Sequence, residues 1–175
     1  GASNITIDGS LSGGTDQILS ITNLATTAPQ VVTFGSLTTP MVNNTLKNTI
    51  ITNGANTSTA VVIASDTGTA GLFNNVTVSN NSIKKAYIGV YALSAIAAGN
   101  GSVNMSNNDV STAGADAVTL AGIYAQGTDG AVIQNNTIGN FNTTPAYARR
   151  GVWIATGTVN SKISGNTISN LVAGS

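Results

Sequence analysis

The chain has 175 residues, of which 41% are hydrophobic and 7% charged, and its formal net charge is zero. This length can bury one core, but six basic residues are too few for the clustered positive surface of a nucleic-acid-binding protein. Cysteine and histidine are absent, so disulfide bonds are excluded and the commonest general base and metal ligand are missing.

Short strands joined by tight turns are expected throughout the chain. Val, Ile and Thr favour strands, Asn and Gly favour turns, and all five are abundant. The apolar content of 41% also argues against a disordered chain, although charged residues are few.

An eight-residue repeat recurs along the chain. Four copies align without gaps, at residues 76–83, 103–110, 131–138 and 161–168. Each copy has an apolar residue in third place, an Asn in sixth place, and Ile or Val in eighth place. A weaker copy is predicted earlier, around Leu46 to Ile50, with Asn48 in the place of Asn81.

The repeated Asn predicts a ladder along the molecule. The residue before it is Asn or Gly, types that tolerate positive φ, so a sharp turn between two buried strands is expected there. Stacked coils would place the repeated residues in one column about 4.8 Å apart. Side-chain amides at this spacing can hydrogen-bond to one another and satisfy a buried turn. The predicted ladder residues are Asn81, Asn108, Asn136 and Asn166.

A second motif, Gly followed by an aliphatic and an aromatic residue, recurs between the Asn turns. It lies within residues 88–92, 121–125 and 150–154, and residues 59–63 are an earlier copy without the Gly. Each coil is therefore predicted to contain at least two strands with a corner between them. Segments 95–101 and 140–148 are predicted inserts that project as loops from one corner.

The N-N-x-I turn followed by G-[VI]-[YW] resembles the parallel β-helix repeat of the pectin-lyase-like superfamily, of the secreted bacterial type. The resemblance covers residues 42–171 well and the first forty residues loosely. In the loosely matched part, the segments Asn4 to Ser10 and Leu19 to Asn23 are similar to early coils of large secreted bacterial β-helix proteins. It implies an all-β fold, a right-handed parallel β-helix (β-solenoid) of five to six coils. We expect residues 1–175 to form a single domain, either a segment of a longer solenoid or a unit that stacks on copies of itself.

The resemblance also implies a possible activity, because enzymes of the superfamily cut acidic polysaccharides with clustered acidic residues. The six Asp residues here, at positions 8, 16, 66, 109, 116 and 129, fall at unrelated phases of the repeat. Only Asp109 occupies an aligned strand position, beside Ser82 and Thr137. Catalysis by paired carboxylates needs two acids within about 5–10 Å. We therefore predict no catalytic residue, no metal site and no cofactor.

A column of aromatic residues is the main candidate for a binding surface. Val90, Ile123 and Val152 are expected to point inward, so alternation sends the next residue of each strand outward. The predicted exposed column is Tyr91, Tyr124 and Trp153, with Arg150 nearby. Such a column can stack on sugar rings or contact a protein. The alternative is that a loop at Phe141 to Tyr147 folds over it.

Two further surface patterns have simple interpretations. The pairs Lys84-Lys85 and Arg149-Arg150 hold four of the six basic residues. They are expected to be solubilising charge at coil corners, and contact with an anionic glycan is the alternative. The outward column Thr49, Ser82, Asp109, Thr137 and Thr167 lacks the regular Thr-x-Thr pattern of an ice-binding face, so ice binding is not expected.

These features predict a non-enzymatic structural or adhesive protein that is secreted or exposed on the cell surface. Neither end shows a cap, since no amphipathic helix precedes Asn4 and only four residues follow Leu171. The expected partners are copies of the chain stacked end to end into a fibre, further coils of the parent protein, or an extracellular glycan. The sequence contains no run of eighteen apolar residues, so membrane insertion is not expected. A polysaccharide-binding or polysaccharide-cleaving module is the alternative function.

Overall fold

The computed structural model describes residues 1–36, 39–65, 73–94, 101–142 and 148–172. Nineteen strands lie in this part of the chain, and one 3-10 helix, Gly114–Asp116, is described with them. In chain order the strands are β1 (Thr6–Asp8), β2 (Leu19–Thr22), β3 (Val32–Ser36), β4 (Met41–Val42), β5 (Thr45–Lys47), β6 (Thr49–Thr52), β7 (Val61–Ser65), β8 (Phe73–Asn74), β9 (Val76–Ser79), β10 (Ser82–Lys84), β11 (Ile88–Leu93), β12 (Val103–Ser106), β13 (Asp109–Val110), β14 (Ala121–Gln126), β15 (Val132–Gln134), β16 (Thr137–Gly139), β17 (Arg150–Ile154), β18 (Lys162–Ser164) and β19 (Thr167–Ser169).

The strands form three long parallel sheets, which are the faces of a β-solenoid. The first face has the order β1-β5-β9-β12-β15-β18, the second β2-β6-β10-β13-β16-β19, and the third β3-β7-β11-β14-β17. A short fourth sheet pairs β4 with β8. Each strand pairs with strands about one repeat away in sequence, so successive passes of the chain lie on one another. The predicted all-β parallel solenoid is confirmed.

The number of coils is lower than predicted. The solenoid makes about four turns, and four turns separate the five strands of the third face. The prediction of five to six coils is wrong because it counted copies of the strand motif. The first two faces have six strands each and the third has five, because within the described residues no third-face strand follows β19.

The gapless register of the four main repeat copies is confirmed. Val76 pairs with Val103 on the first face, and Met105 pairs with Ile133, which pairs with Ile163. The weaker fifth copy was placed one residue out of register. Leu46 pairs with Val78, which aligns Asn48 with Asn80 instead of Asn81.

Apolar columns fill the interior. Alternate side chains on each strand point inward, and these residues stack from rung to rung at the strand spacing. On the first face the inward residues Leu46, Val78, Met105 and Ile133 have no exposed surface. The second and third faces contribute similar columns, and the buried residues form one main cluster. This cluster is the hydrophobic core on which the solenoid depends.

The predicted asparagine ladder is present at the corner between the first and second faces. The Oδ1 of Asn108 accepts two hydrogen bonds from Asn81, one from Nδ2 at 3.0 Å and one from the backbone N–H at 3.1 Å. The Nδ2 of Asn108 donates to the carbonyl of Val78 at 2.9 Å and to Oδ1 of Asn136 at 3.0 Å. Asn136 repeats this pattern with Asn166. The ladder therefore pairs buried backbone groups as well as side chains.

The ladder ends at a threonine on the N-terminal side. Thr49 occupies the position next to Asn81, and its hydroxyl and backbone N–H donate to Oδ1 of Asn81 at 2.7 and 3.0 Å. Asn48, which the sequence placed in this column, instead has a φ of 59° and accepts a hydrogen bond from Nδ2 of Asn80 at 2.7 Å. The predicted outward column of Thr49, Ser82 and Asp109 is also wrong at its first position, because Ser82 pairs with Ile50 instead of Thr49.

A second asparagine column was not predicted. Asn4, Asn43 and Asn75 have φ values of 60°, 59° and 50° at the turn before the first face. Nδ2 of Asn43 donates to Asn4 at 3.0 Å, and Nδ2 of Asn75 donates to Asn43 at 2.7 Å. The only sequence signal for this column was the paired Asn before β5 and β9. The left-handed backbone explains the residue type, since Asn tolerates this conformation better than other non-glycine residues.

The glycine of the second motif is required by packing across a corner. A β-carbon at Gly122 would lie 2.4 Å from Cγ2 of Ile138, and one at Gly151 would lie 2.5 Å from Cγ2 of Ile168. At Gly89 the corresponding distance is 2.8 Å, to Cγ1 of Val110. The inward column of the second face thus occupies the space that a side chain at each motif glycine would need.

The two predicted inserts do not share a corner. Segment 95–101 joins β11 on the third face to β12 on the first, whereas segment 140–148 joins β16 on the second face to β17 on the third. Most residues of both inserts lie outside the described part of the chain. The single-corner prediction is wrong because sequence length alone does not show which face an insert follows.

Candidate functional site

The candidate site is the aromatic column on the outer side of the third face. Val90 pairs with Ile123 and Ile123 with Val152, and this row belongs to the core cluster or packs against it. The next residues, Tyr91, Tyr124 and Trp153, pair in register and contact a separate outer cluster. The predicted inward and outward directions are therefore confirmed.

The rings of the column pack against one another. Tyr91 and Tyr124 are stacked, with ring centroids 4.8 Å apart and an interplanar angle of 14°. Trp153 meets Tyr124 edge-on at 5.0 Å and 83°. Because the tyrosine separation matches the strand spacing of about 4.7–4.9 Å, the two tyrosine rings cover each other's faces. Their edges, not their faces, are directed away from the sheet.

The column is less exposed than predicted. Tyr124 is only 9% exposed, and Tyr91 and Trp153 are half-buried. Tyr124 lies between its two column neighbours and in a small apolar cluster on the outside of the solenoid. The other members of this cluster are Tyr87, Ile88, Leu120, Ala121 and Ala155. The prediction of an exposed column is wrong for Tyr124, because residues outside the motif pack around it.

The two arginines beside the column have different environments. The guanidinium carbon of Arg150 lies 4.0 Å from the centroid of the Trp153 ring, a cation–π contact. Arg149 is 8% exposed, and its Nε donates to the carbonyl of Asn142 at 3.1 Å. The prediction of a solvated corner charge is therefore wrong for Arg149. Its guanidinium is buried because it binds the loop carbonyl that follows β16.

Burial changes the acidity of the tyrosines. Desolvation raises the pKa of the Tyr91 hydroxyl, and the neighbouring Tyr124 raises it further. Desolvation also raises the pKa of Tyr124, whose hydroxyl is hydrogen-bonded to Oε1 of Gln126. Both tyrosines are therefore neutral hydrogen-bonding groups at neutral pH, and neither is suited to act as a base there.

The loop that was considered as a cover is described only in part. Phe141 is 5% exposed and belongs to the main core, so its ring does not lie over the aromatic column. Residues 143–147 lie outside the described part of the chain. The half-buried state of Tyr91 and Trp153 is explained among the described residues by the outer apolar cluster and by Arg150.

The acidic residues are engaged in separate local contacts. Asp109 lies on β13 beside Ser82 and Thr137, as predicted, and accepts hydrogen bonds from the N–H and hydroxyl of Ser111. Asp129 accepts a hydrogen bond from Asn160 at 2.8 Å. Within the described ranges, no group of three His, Cys, Asp or Glu residues is placed to hold a metal ion. In the same ranges, no helix has the length and apolar character needed to cross a membrane.

Asp8 has the densest set of hydrogen-bond donors among these carboxylates. It accepts bonds from the N–H and hydroxyl of Ser10 at 2.9 and 2.8 Å, and from Nδ2 of Asn48 at 2.7 Å. The Nζ of Lys47 lies 3.0 Å from its other oxygen. The backbone N–H of Ser10 and then Asn48 contribute most to holding the pKa of Asp8 far below its ordinary value.

A pH titration of stability should reveal the Asp8 contacts. Because the pKa of Asp8 is lower in the folded state, its contribution is complete above the unfolded value of about 3.9 and is lost as pH falls further. Urea midpoints measured from pH 5 to pH 2 should therefore fall less steeply for Asp8→Asn than for the wild type. Ser10→Ala, which removes one donor, should give an intermediate slope. Equal slopes in all three proteins would contradict the assignment.

No protein-family model, curated protein or solved structure matches this chain. The assignment of a parallel β-solenoid therefore depends on strand pairing and the asparagine ladder. What the site can do follows from its geometry alone. That geometry is a packed aromatic column with a guanidinium on its last ring.

Proposed function

We propose that the chain is a non-enzymatic structural or adhesive β-solenoid that works outside the cell, as a secreted or surface-exposed segment. The observation that carries this proposal is the continuity of the interior. The apolar columns continue from rung to rung, and the asparagine ladder joins the four rungs that carry Asn81, Asn108, Asn136 and Asn166. We further propose that the repeat is of the pectin-lyase-like, secreted bacterial type.

The chemistry of the chain supports a mechanical role. Each rung contacts mainly the rungs directly above and below it, so the stability of such a solenoid is approximately a sum over neighbouring rungs. Only 7% of the residues are charged. A rigid solenoid of this kind can be lengthened along its axis by adding rungs. The partners in this proposal are further coils, supplied by the parent protein or by other copies of the chain.

A polysaccharide-binding or polysaccharide-cleaving module is the second candidate. The half-buried Trp153 with Arg150 against its ring favours it, since a guanidinium can bind a carboxylate of an acidic sugar. Stacking on a sugar, however, requires an open ring face. The mutual stacking of Tyr91 and Tyr124 removes one face of each ring from this use. The geometry of the column therefore favours internal packing over sugar stacking.

Trp153→Ala separates the two candidates. The structural proposal predicts that the free energy of unfolding falls by about 2 kcal/mol, because an aromatic pair and a cation–π contact are lost. It also predicts no saturable binding of neutral or acidic polysaccharides, and no shortening of them, by the wild type. Urea unfolding and a glycan-binding screen measure the two effects. Thr137→Ala, on the exposed side of the second face, is the matched control.

Saturable glycan binding by the wild type that Trp153→Ala abolishes would overturn the structural proposal and establish the second candidate. Depolymerisation of a polysaccharide by the wild type would overturn it as well. Loss of stability in Trp153→Ala without any glycan binding supports it.

A further inference from the structure

A long loop at the corner between the first and second faces crosses several rungs. This loop, the strap (residues 9–18), joins β1 to β2 with ten residues, whereas one or two residues join the same two faces in each later rung. Two backbone carbonyls of the strap accept hydrogen bonds from asparagine side chains of later rungs. Nδ2 of Asn48 donates to the carbonyl of Gly14 at 3.2 Å, and Nδ2 of Asn80 donates to that of Thr15 at 2.8 Å.

The strap also donates a hydrogen bond to the corner that it crosses. Nε2 of Gln17 donates to the backbone carbonyl of Asn80 at 2.8 Å, so all three of these bonds join uncharged groups. Gly14 and Thr15 are consecutive in the chain, and their two donors lie on consecutive rungs. The strap therefore runs across the strands, with about one residue to each rung.

The asparagine positions that bind the strap continue along the middle of the solenoid. Strand pairing aligns Asn80 with Asn107 and Asn107 with Asn135, because each of them directly follows a paired residue of β9, β12 or β15. The three residues also share the left-handed backbone conformation, with φ values of 52°, 56° and 55°. Asn107 and Asn135 lie on inner rungs, which have described rungs on both sides.

The asparagines of this column become exposed where the strap ends. Asn48 is 3% exposed and Asn80 is half-buried, whereas Asn107 and Asn135 are exposed. Among the described residues, no partner hydrogen-bonds to the side-chain amide of Asn107 or of Asn135, and no backbone N–H donates to the carbonyl of either residue. The groups that hold the strap on two rungs are therefore repeated on the next two rungs, where that part of the chain does not use them.

We propose that an extended, uncharged peptide segment of a partner protein binds at Asn107 and Asn135, in the way that the strap binds on the two preceding rungs. Consecutive carbonyls of this segment accept hydrogen bonds from the two Nδ2 groups, and a Gln or Asn side chain two residues further on donates to the carbonyl of Asn135. Asp109, which is exposed two residues after Asn107, disfavours an acidic segment. This partner lies at the side of the solenoid, so the proposal goes beyond the structural role and does not depend on it.

A single contact of this kind is weak. Each of its three hydrogen bonds changes a binding constant by about two- to tenfold, so a free peptide should bind in the millimolar range. In the strap this weakness is offset, because covalent attachment gives the segment a high effective concentration. A partner that presents several such segments gains in the same way through multivalent attachment.

Titration with a synthetic peptide tests the proposal. The probe has the sequence of residues 10–18, with blocked ends, because it carries the Gly14 and Thr15 carbonyls and the Gln17 amide of the strap. In NMR spectra of the isotopically labelled wild type, the side-chain amide signals of Asn107 and Asn135 should shift saturably as the peptide reaches several millimolar. A peptide in which Gln17 is replaced by Ala should bind about two- to tenfold more weakly, because it lacks one donor.

Glycine variants of the protein locate the binding site. Asn107→Gly combined with Asn135→Gly removes both amide donors and keeps the backbone conformation, which Gly adopts readily. Peptide binding should therefore weaken by about fourfold or more, while the circular dichroism spectrum stays unchanged. Asn75→Gly is the matched control, because Asn75 is exposed and has a φ of 50° in the separate column before the first face. This control should bind the peptide as the wild type does.

Two results would overturn the proposal. One is the absence of any saturable shift of the two amide signals at the highest peptide concentration, and the other is equal peptide binding by the wild type and the double variant. Neither result bears on the structural role, which unfolding of Trp153→Ala and the glycan screen test separately.

Discussion

Replacing Asn108 by Ala should lower the free energy of unfolding by about 3–4 kcal/mol. The substitution removes both hydrogen bonds that Asn81 donates to Oδ1 of Asn108, and both that Nδ2 of Asn108 donates. The buried N–H of Asn81 loses its acceptor, and the carbonyl of Val78 loses a donor. Each unpaired buried group costs about 1–3 kcal/mol. Urea unfolding with an unchanged m-value would measure the loss.

The adjacent residue is the matched control for this prediction. Asn107 has the same side chain and the next position in the chain, but it is exposed and has a φ of 56°. Asn107→Gly should therefore change the free energy of unfolding by no more than about 0.5 kcal/mol, because Gly adopts this backbone conformation readily. A loss below about 1 kcal/mol in Asn108→Ala, or equal losses in both variants, would show that the ladder contributes little.

A charge in the ladder should be more damaging than a deletion. Aspartate at position 108 keeps an acceptor for Asn81 but has no amide to donate to Val78 or Asn136, and it places a charge where Asn108 is 1% exposed. Burial of an unpaired carboxylate favours its protonated form. An amide both donates and accepts without carrying a charge, so it is suited to every inner position of this column.

The sequence was sufficient to predict the ladder but not its end. Four copies with an identical frame fixed the register of Asn81, Asn108, Asn136 and Asn166, because a one-residue slip would move every apolar residue to the wrong face. At the fifth copy the frame is weaker, and the prediction placed Asn48 in the column. The structure has Thr49 there, because the last position needs only donors, and a hydroxyl with a backbone N–H supplies both. A rule based on residue type could not anticipate this exchange.

For the aromatic column as well, the sequence predicted one property and not another. Its outward direction followed from the alternation around Val90, Ile123 and Val152, which is a local property. The burial of the column could not be predicted in this way, because exposure depends on residues such as Tyr87 and Leu120 that contact the column from segments outside the motif. The burial of Arg149 likewise depends on a carbonyl seven residues earlier in the chain. Pattern predicts which face a side chain occupies, whereas loop contacts decide how much of it remains exposed.

Replacing the glycine of the second motif should have the second large effect on the free energy of unfolding. Gly122→Ala should lower the free energy of unfolding by about 2–3 kcal/mol, because the new β-carbon would meet Cγ2 of Ile138 at 2.4 Å and the carbonyl oxygen of Gly151 at 2.9 Å. Backbone conformation does not cause this cost, since Gly122 has no positive φ. Both neighbours belong to rungs or columns that are held on several sides, so neither can move away without disturbing the core. Thermal or urea unfolding would measure the change.

A double-mutant cycle with Ile138→Ala separates this collision from a general loss of glycine. Ile138→Ala alone should cost about 2–5 kcal/mol, because it leaves a cavity in the second-face column. In that background Gly122→Ala should cost markedly less than it does alone, because its methyl group can occupy part of the cavity, and the coupling should exceed about 1 kcal/mol. Additive losses would mean that the carbonyl of Gly151, not Ile138, sets the requirement for glycine. The recurrence of Gly at 89, 122 and 151 would then reflect close approach of the backbones at this corner, a requirement that the next rung imposes whichever aliphatic residue fills the column.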